Sequence, residues 1–225
     1  IFSSTCATYG EPGEEHLPIR EDCPQAPINP YGHSKLLVEQ ALRAARTSAH
    51  AAGRPFSCAM LRYFNVAGSD ATGRLGEDHD PETHLVPICL AAAAGRRDAV
   101  TIFGTDYETP DGTCIRDYVH VDDLVEAHLA VMQALEDGDE RIYNVGTGKG
   151  TSVREILDSV RRVTGVDVAG VDGQRRAGDP PSLFNDPTRI QEELGWSARL
   201  DSIDEIVETA WRWMQDHPEG WGSSV

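Results

Sequence analysis

Asn29-Pro30-Tyr31-Gly32-His33-Ser34-Lys35 is the stretch on which the reading of the chain turns. Asparagine is a good N-cap, because its side-chain oxygen accepts a backbone N–H of the first turn, and proline fits the first helical position, where no N–H is needed. The spacing predicts a helix over residues 31–52, with Leu37, Val38, Ala41, Leu42 and Ala45 recurring as its core face. Tyr31 then lies in the first turn and Lys35 one turn later on the same side. An ammonium beside a phenol, at the positive end of a helix, favours the phenolate, the form a general base requires. Tyr-x-x-x-Lys alone recurs by chance as an ordinary surface pair, so the neighbours decide. Lys35 and Lys149 are the only lysines in the chain, which otherwise takes its positive charge from arginine. A lysine at this spot offers a compact, titrating donor that arginine does not.

Outward from the helix, residues 1–4 form a strand ending in the hydroxyls of Ser3, Ser4 and Thr5, and residues 56–62 form a short apolar strand. Strand, helix, strand is the sign of a parallel, doubly wound α/β sheet. Further on, the pattern predicts helices over 85–94 and 122–135, and strands over 99–103, 118–121, 141–145 and 166–171. Ser152 with Glu155 and Ser202 with Glu205 read as capping boxes opening two more helices, and Asp186-Pro187 opens another in the manner of Asn29-Pro30. Residues 65–82 and 107–114 read as loops.

The whole chain sets bounds. Its 225 residues suffice for one good-sized core or two small ones. A formal charge of −17 argues against nucleic acid as a partner, because a phosphate backbone is repelled. Cys6, Cys23, Cys58, Cys89 and Cys114 are odd in number and widely spaced, which argues against a disulfide framework and a zinc site. No run suits a membrane span and no signal peptide is visible, so the expectation is a cytoplasmic protein without a membrane partner.

A hydroxyl-bearing strand end followed by Tyr-x-x-x-Lys on a helix resembles the extended short-chain dehydrogenase/reductase superfamily. Leu61-Arg62-Tyr63-Phe64-Asn65-Val66-Ala67-Gly68, Phe103-Gly104-Thr105-Asp106-Tyr107, Asp111 through Val121 and Arg175-Arg176-Ala177-Gly178-Asp179 are similar to its UDP-glucose 4-epimerase branch. Several such blocks in order, from the first residue to near the last, are far more specific than any one. The resemblance implies a Rossmann fold. Residues 1–64 would be the C-terminal remainder of an NAD-binding domain, and residues 65–225 mainly a smaller mixed α/β lobe binding a UDP-sugar, with some segments returning to the first domain. The chain has no glycine-rich dinucleotide turn, so the resemblance places that turn upstream of Ile1, on the order of a hundred residues away, and makes the fragment alone inactive.

The resemblance also implies roles. Tyr31, Lys35 and Thr5 would be catalytic and, with Tyr63 and Phe64, would contact NAD. Asn65 would donate to the substrate diphosphate, Arg116 and Arg176 would clamp it, and Asp179 belongs to the same motif. His84 and Leu85 would lie by the pyrophosphate and uracil, although relatives more often carry Asn at the first of these positions. Thr101, Ile102 and Phe103 would hold the uracil by backbone bonds and an apolar wall. Leu183, seven residues after Arg176, would be a specificity gate of intermediate size. Dehydratases and decarboxylases of the superfamily carry acidic residues where this chain has Cys6-Ala7, which argues against both reactions. A UDP-galactose/UDP-glucose 4-epimerase follows, with 4-epimerisation of an N-acetylhexosamine, pentose or uronic acid nucleotide, or an inert UDP-sugar-binding fragment, as alternatives. A homodimer pairing the Tyr31 helix is expected for the full-length protein.

Two segments could mislead. Gly146-Thr147-Gly148-Lys149-Gly150-Thr151 lies between strand and helix like a phosphate loop, but Gly150 follows Lys149 where a hydroxyl residue is required, so it reads as a tight turn. His79, Asp80, Glu82 and His84 look like metal ligands; an acid-rich loop without a supporting cluster reads as solvated, with no metal.

Overall fold

Asn29 does cap the decisive helix. In the computed structural model of the chain, which describes residues 1–176 and 178–221, its backbone is extended and its side chain accepts the Gly32 N–H at 2.8 Å. Ala177, within the arginine motif, and residues 222–225 lie outside the described residues. The elements follow in the order β1 (Phe2–Thr5), α1 (Pro30–Ala51), β2 (Cys58–Tyr63), β3 (Asn65–Ala67), α2 (Leu85–Ala93), β4 (Val100–Phe103) and β5 (Ile115–His120). Then come α3 (Val121–Ala134), β6 (Glu140–Val145), β7 (Gly150–Ser152), α4 (Val153–Thr164), β8 (Gly170–Gly173), β9 (Ser182–Leu183), α5 (Thr188–Leu194) and α6 (Ile203–Asp216).

The expected parallel sheet is present: β1, β2 and β6 run parallel in that order, with Thr5, Tyr63 and Val145 level at the carboxyl end. Side chains alternate across it. Ala59, Leu61, Tyr143 and Val145 pack against Leu124, Ala127 and Val131 of α3. Ser4 and Arg62 point the other way, to Glu39 of α1. Helices therefore cover both faces, which makes the fold α/β and doubly wound.

The expected core face of α1 is wrong. Leu37 is 64% exposed and Val38 40%, Ala41 and Ala45 are exposed, and Leu42 is half-buried; the residues turned inward are Gly32 and Glu39. The reason is that the facing sheet is polar here. Arg62, 1% exposed, gives Glu39 two bonds, from Nε at 3.0 Å and from a terminal nitrogen at 2.7 Å. Ser4 and Gln25 add bonds at 2.5 and 3.0 Å. Burial alone would raise the Glu39 carboxyl, but these bonds outweigh it and hold the group below the usual carboxylate range. Periodicity of apolar residues finds a face but not which way it looks.

The remaining strands form two small sheets. β3 and β9 run parallel to β5 and β7 antiparallel to it, while β4 pairs with β8. Under them Val86, Cys89 and Leu90 of α2 meet Ile156 and Val160 of α4 and Ile206 and Val207 of α6. Ser152 and Glu155 make the expected capping box. The expected box at Ser202 is absent, because the Ser202 side chain makes no capping bond. The strand expected over 166–171 begins at Gly170, because its register is set by pairing Val100 with Gly170. No helix among the described residues is long and apolar enough to cross a membrane.

Candidate active site

The carboxyl ends of parallel strands are where open α/β sheets bind ligands, and the predicted residues collect there. Thr5 ends β1, 6% exposed; its hydroxyl oxygen accepts the Ala7 N–H at 3.2 Å and so caps the turn Cys6–Thr8. That turn lies against the start of α1. A Cβ on Gly32 would stand 2.4 Å from the Ala7 carbonyl oxygen, so only glycine allows the approach that brings Tyr31 to the Thr5 edge. Lys35 donates to the Ser3 carbonyl at 2.9 Å, and its Nζ sits 5.6 Å from the centre of the Tyr31 ring. The Tyr31 side chain is half exposed and its hydroxyl has no hydrogen-bond partner among the described residues. Burial raises the neighbouring Tyr63 phenol, and proximity to Tyr31 adds to the shift. Burial likewise pushes the Cys6 thiol up to about 11, which leaves it a poor nucleophile.

A cavity of about 440 Å³, within the range of small-molecule sites, opens at Asn65 of β3; Thr5, Tyr31, Lys35 and Tyr63 are not in its lining. Asn65, His84, Leu85 and Thr101 line it, with Phe103, Arg116, Arg176 and Asp179 around the rest. Arg176 stacks over the Phe103 ring, 4.0 Å from its centre, with no carboxylate partner among the described residues. Arg116, largely buried, pairs with Asp179 and donates to the Pro180 carbonyl at 2.8 Å. Asp179 therefore orients Arg116.

Three predicted contacts do not reach the cavity. The Ile102 side chain is 2% exposed and points from β4 into the core, so of the proposed uracil wall only Thr101 and Phe103 face outward. Phe64 and Leu183 are buried together with Tyr9, Ile19 and Cys23. Neither side chain is in the lining of the cavity. His84 lines the cavity, but its Nδ1 faces Glu77 at 2.7 Å and Glu82 at 3.0 Å.

Asp117 was missed. Fully buried, it accepts the Thr147 N–H and hydroxyl at 2.8 Å, the Gly148 N–H at 2.9 Å and the Asn185 N–H at 3.3 Å. The amides that made residues 146–151 resemble a phosphate loop are thus spent on a protein carboxylate. Burial outweighs those bonds and raises the Asp117 carboxyl. An acid at a strand position whose neighbours are buried was the available signal.

Residues 1–146 match the NAD dependent epimerase/dehydratase family, and the chain belongs to it. Within that family it is 49% identical over 223 residues to a UDP-glucose 4-epimerase of Lacticaseibacillus casei, covering 99% of this chain and 65% of that protein. It is also 45% identical to UDP-arabinose 4-epimerase 1 of Arabidopsis thaliana, covering 99% of this chain and 52% of that one. Its fold is that of UDP-glucose 4-epimerase from Bifidobacterium longum in complex with NAD+ and UDP, with TM-score 0.89 and 38% identity over 97% of this chain and 64% of that chain. The chain spans about 65% of the length of the first of these relatives.

Proposed function

We propose that the whole protein interconverts UDP-galactose and UDP-glucose by transient oxidation at sugar C4, with Tyr31 as the base. The observation that carries this is Lys35, bonded to the Ser3 carbonyl of β1 and 5.6 Å from the Tyr31 ring, together with a cavity that gathers Arg116, held by Asp179, and Arg176, without a carboxylate partner among the described residues. The donor set, a phenol and an ammonium at that edge, fits NAD, with Tyr31, Lys35, Thr5 and Tyr63 as its contacts from this chain. NAD when bound supplies a reversible hydride acceptor. Thr5 donates to the sugar hydroxyl or relays its proton, and the Tyr31 phenolate takes that proton as C4 becomes a ketone. Lys35 stabilises the phenolate, while Arg116 and Arg176 retain the diphosphate as the 4-keto sugar turns over. Tyr31 then returns the proton to the C4 oxygen as C4 regains its hydride on the opposite face. Residues 1–64 with β6 serve the cofactor side, and the remainder serves the UDP-sugar. The outward Leu37 and Val38 face of α1 suits a homodimer.

A second reading keeps the chemistry and changes the sugar: relatives named UDP-arabinose 4-epimerase stand only a few per cent behind in identity. Purified whole protein incubated with UDP-galactose and, separately, UDP-arabinose discriminates the two. Production of UDP-glucose establishes the first reading; turnover confined to the pentose nucleotide replaces it with the second; bound NAD with neither turnover removes both.

A further inference from the structure

The loop before α2 brings together four groups, three of which, His79, Glu82 and His84, the sequence reading set aside as metal ligands. One ligand atom each from Glu77, His79, Glu82 and His84 lies within 4.8 Å of every other. Asp80, which the sequence suggested, is outside the group, and Glu77, which it did not, is inside. The His84 Nδ1 stands 2.7 Å from Glu77 and 3.0 Å from Glu82; the His79 Nδ1 stands 3.0 Å from Glu77 and 3.9 Å from Glu82. Both imidazoles thus turn the same nitrogen toward the same two carboxylates, with ring centres 5.0 Å apart. From these positions we propose that Glu77, His79, Glu82 and His84 bind a divalent transition-metal ion of the zinc type, tying the loop to the start of α2.

The distances fit the ion. Four ligands at about 2.0–2.2 Å in a tetrahedron stand roughly 3.4 Å from one another, and the observed separations bracket that value. The donor set fits too. Calcium and magnesium call for oxygen ligands, whereas two imidazoles with two carboxylates suit zinc and its neighbours. Four protein ligands leave no open position, so the site is structural rather than hydrolytic. Its seat is built. The first Glu82 oxygen accepts the Thr83 and His84 N–H groups at 2.6 and 2.7 Å. Upstream, a Cβ on Gly76 would stand 2.0 Å from the Trp213 ring, so the loop lies flush on α6. The His–carboxylate contacts could exist without metal as ion pairs, and the experiment separates these cases. The inference rests on this cluster alone and not on the epimerase reading.

The test uses the whole protein, stripped with chelator, then equilibrated with micromolar Zn²⁺, desalted and assayed for metal. A parallel sample takes Co²⁺, whose visible spectrum reports four-coordinate nitrogen and oxygen ligation; thiolate ligation by the cysteines would add a charge-transfer band. The expected result is a single retained equivalent without that band. In His79→Gln and His84→Gln affinity should fall roughly 100-fold or more, since losing even a ligand's supporting partner reaches that scale. Asp80→Asn should bind as wild type. Melting in chelator checks that each variant is folded, and Glu82→Gln replaces any that is not. No retained metal, a thiolate band, or retention unchanged in the histidine variants would overturn the proposal.

Discussion

Replacing Glu39 with alanine should cost far more than its place on a largely exposed helix suggests. Glu39 accepts two bonds from Arg62, one from Ser4 and one from Gln25, all between 2.5 and 3.0 Å. Without it the Arg62 guanidinium keeps Tyr9 at 2.9 Å and the Glu21 carbonyl at 3.2 Å but loses its buried counter-charge. Removing one partner of a buried pair costs about 3–5 kcal/mol, a third or more of a typical domain's stability. With urea slopes of roughly 2–3 kcal/mol per molar, the midpoint should fall by on the order of 1–2 M. The double variant Glu39→Leu with Arg62→Met removes both charges and should recover most of the loss. The sign of the pH dependence follows from the depressed Glu39 carboxyl. Its stabilisation is fully present above the unfolded value of about 4.3 and is lost as pH falls through the folded value. Wild type and Glu39→Gln should therefore converge on acidification. A single-variant loss under about 1 kcal/mol, or a double variant as unstable as Glu39→Ala, would refute the view that a charged anchor holds α1 to the sheet.

Gly32→Ala should destabilise by about 1–3 kcal/mol and slow turnover, because its Cβ meets the Ala7 carbonyl at 2.4 Å; a raised melting temperature, as helix propensity alone would give, would contradict the close approach. Asp117→Asn puts an amide donor among amides that need an acceptor; a loss of about 2–4 kcal/mol and faster amide exchange at Gly148 and Asn185 should follow. Arg176→Ala should weaken UDP binding, measured calorimetrically, by roughly 10–100-fold, the worth of one charged hydrogen bond. Arg175→Ala should change it little, because Arg175 is held by Asp106 and stacked on Tyr107.

The parallel sheet and the Tyr31 helix were legible because both rest on local signals: a cap, a proline at the first position, and alternation of strand with helix. Ser152 and Glu155 made their box for the same reason. The orientation of α1 was not legible. Its apolar stripe is as regular as a buried one, and only the buried Arg62, 58 residues from Ser4 along the chain and paired to Glu39, reveals that the inner face is polar. Tyr31, Lys35, Arg116 and Arg176 were named through ordered motifs, and the cavity gathers the two arginines. The Ile102, Phe64 and Leu183 side chains turned out buried, because a motif names positions but not which side of a strand faces the cavity. Asp117 depends on contacts with residues about 30 and 68 positions away, for which no periodicity exists to read, and the Glu77–His84 cluster depends on how one loop folds, which put Glu77 where the sequence suggested Asp80.

Tyr31→Phe tests the central claim most directly. The substitution removes one hydroxyl from a half-exposed ring and leaves the Lys35 bond to Ser3 in place, so melting and UDP affinity should be unchanged. Turnover of UDP-galactose by the whole protein should fall by roughly 10²–10⁴, the range for loss of a positioned general base. A rate within tenfold of wild type would contradict the assignment of Tyr31 and, with it, the account of the site.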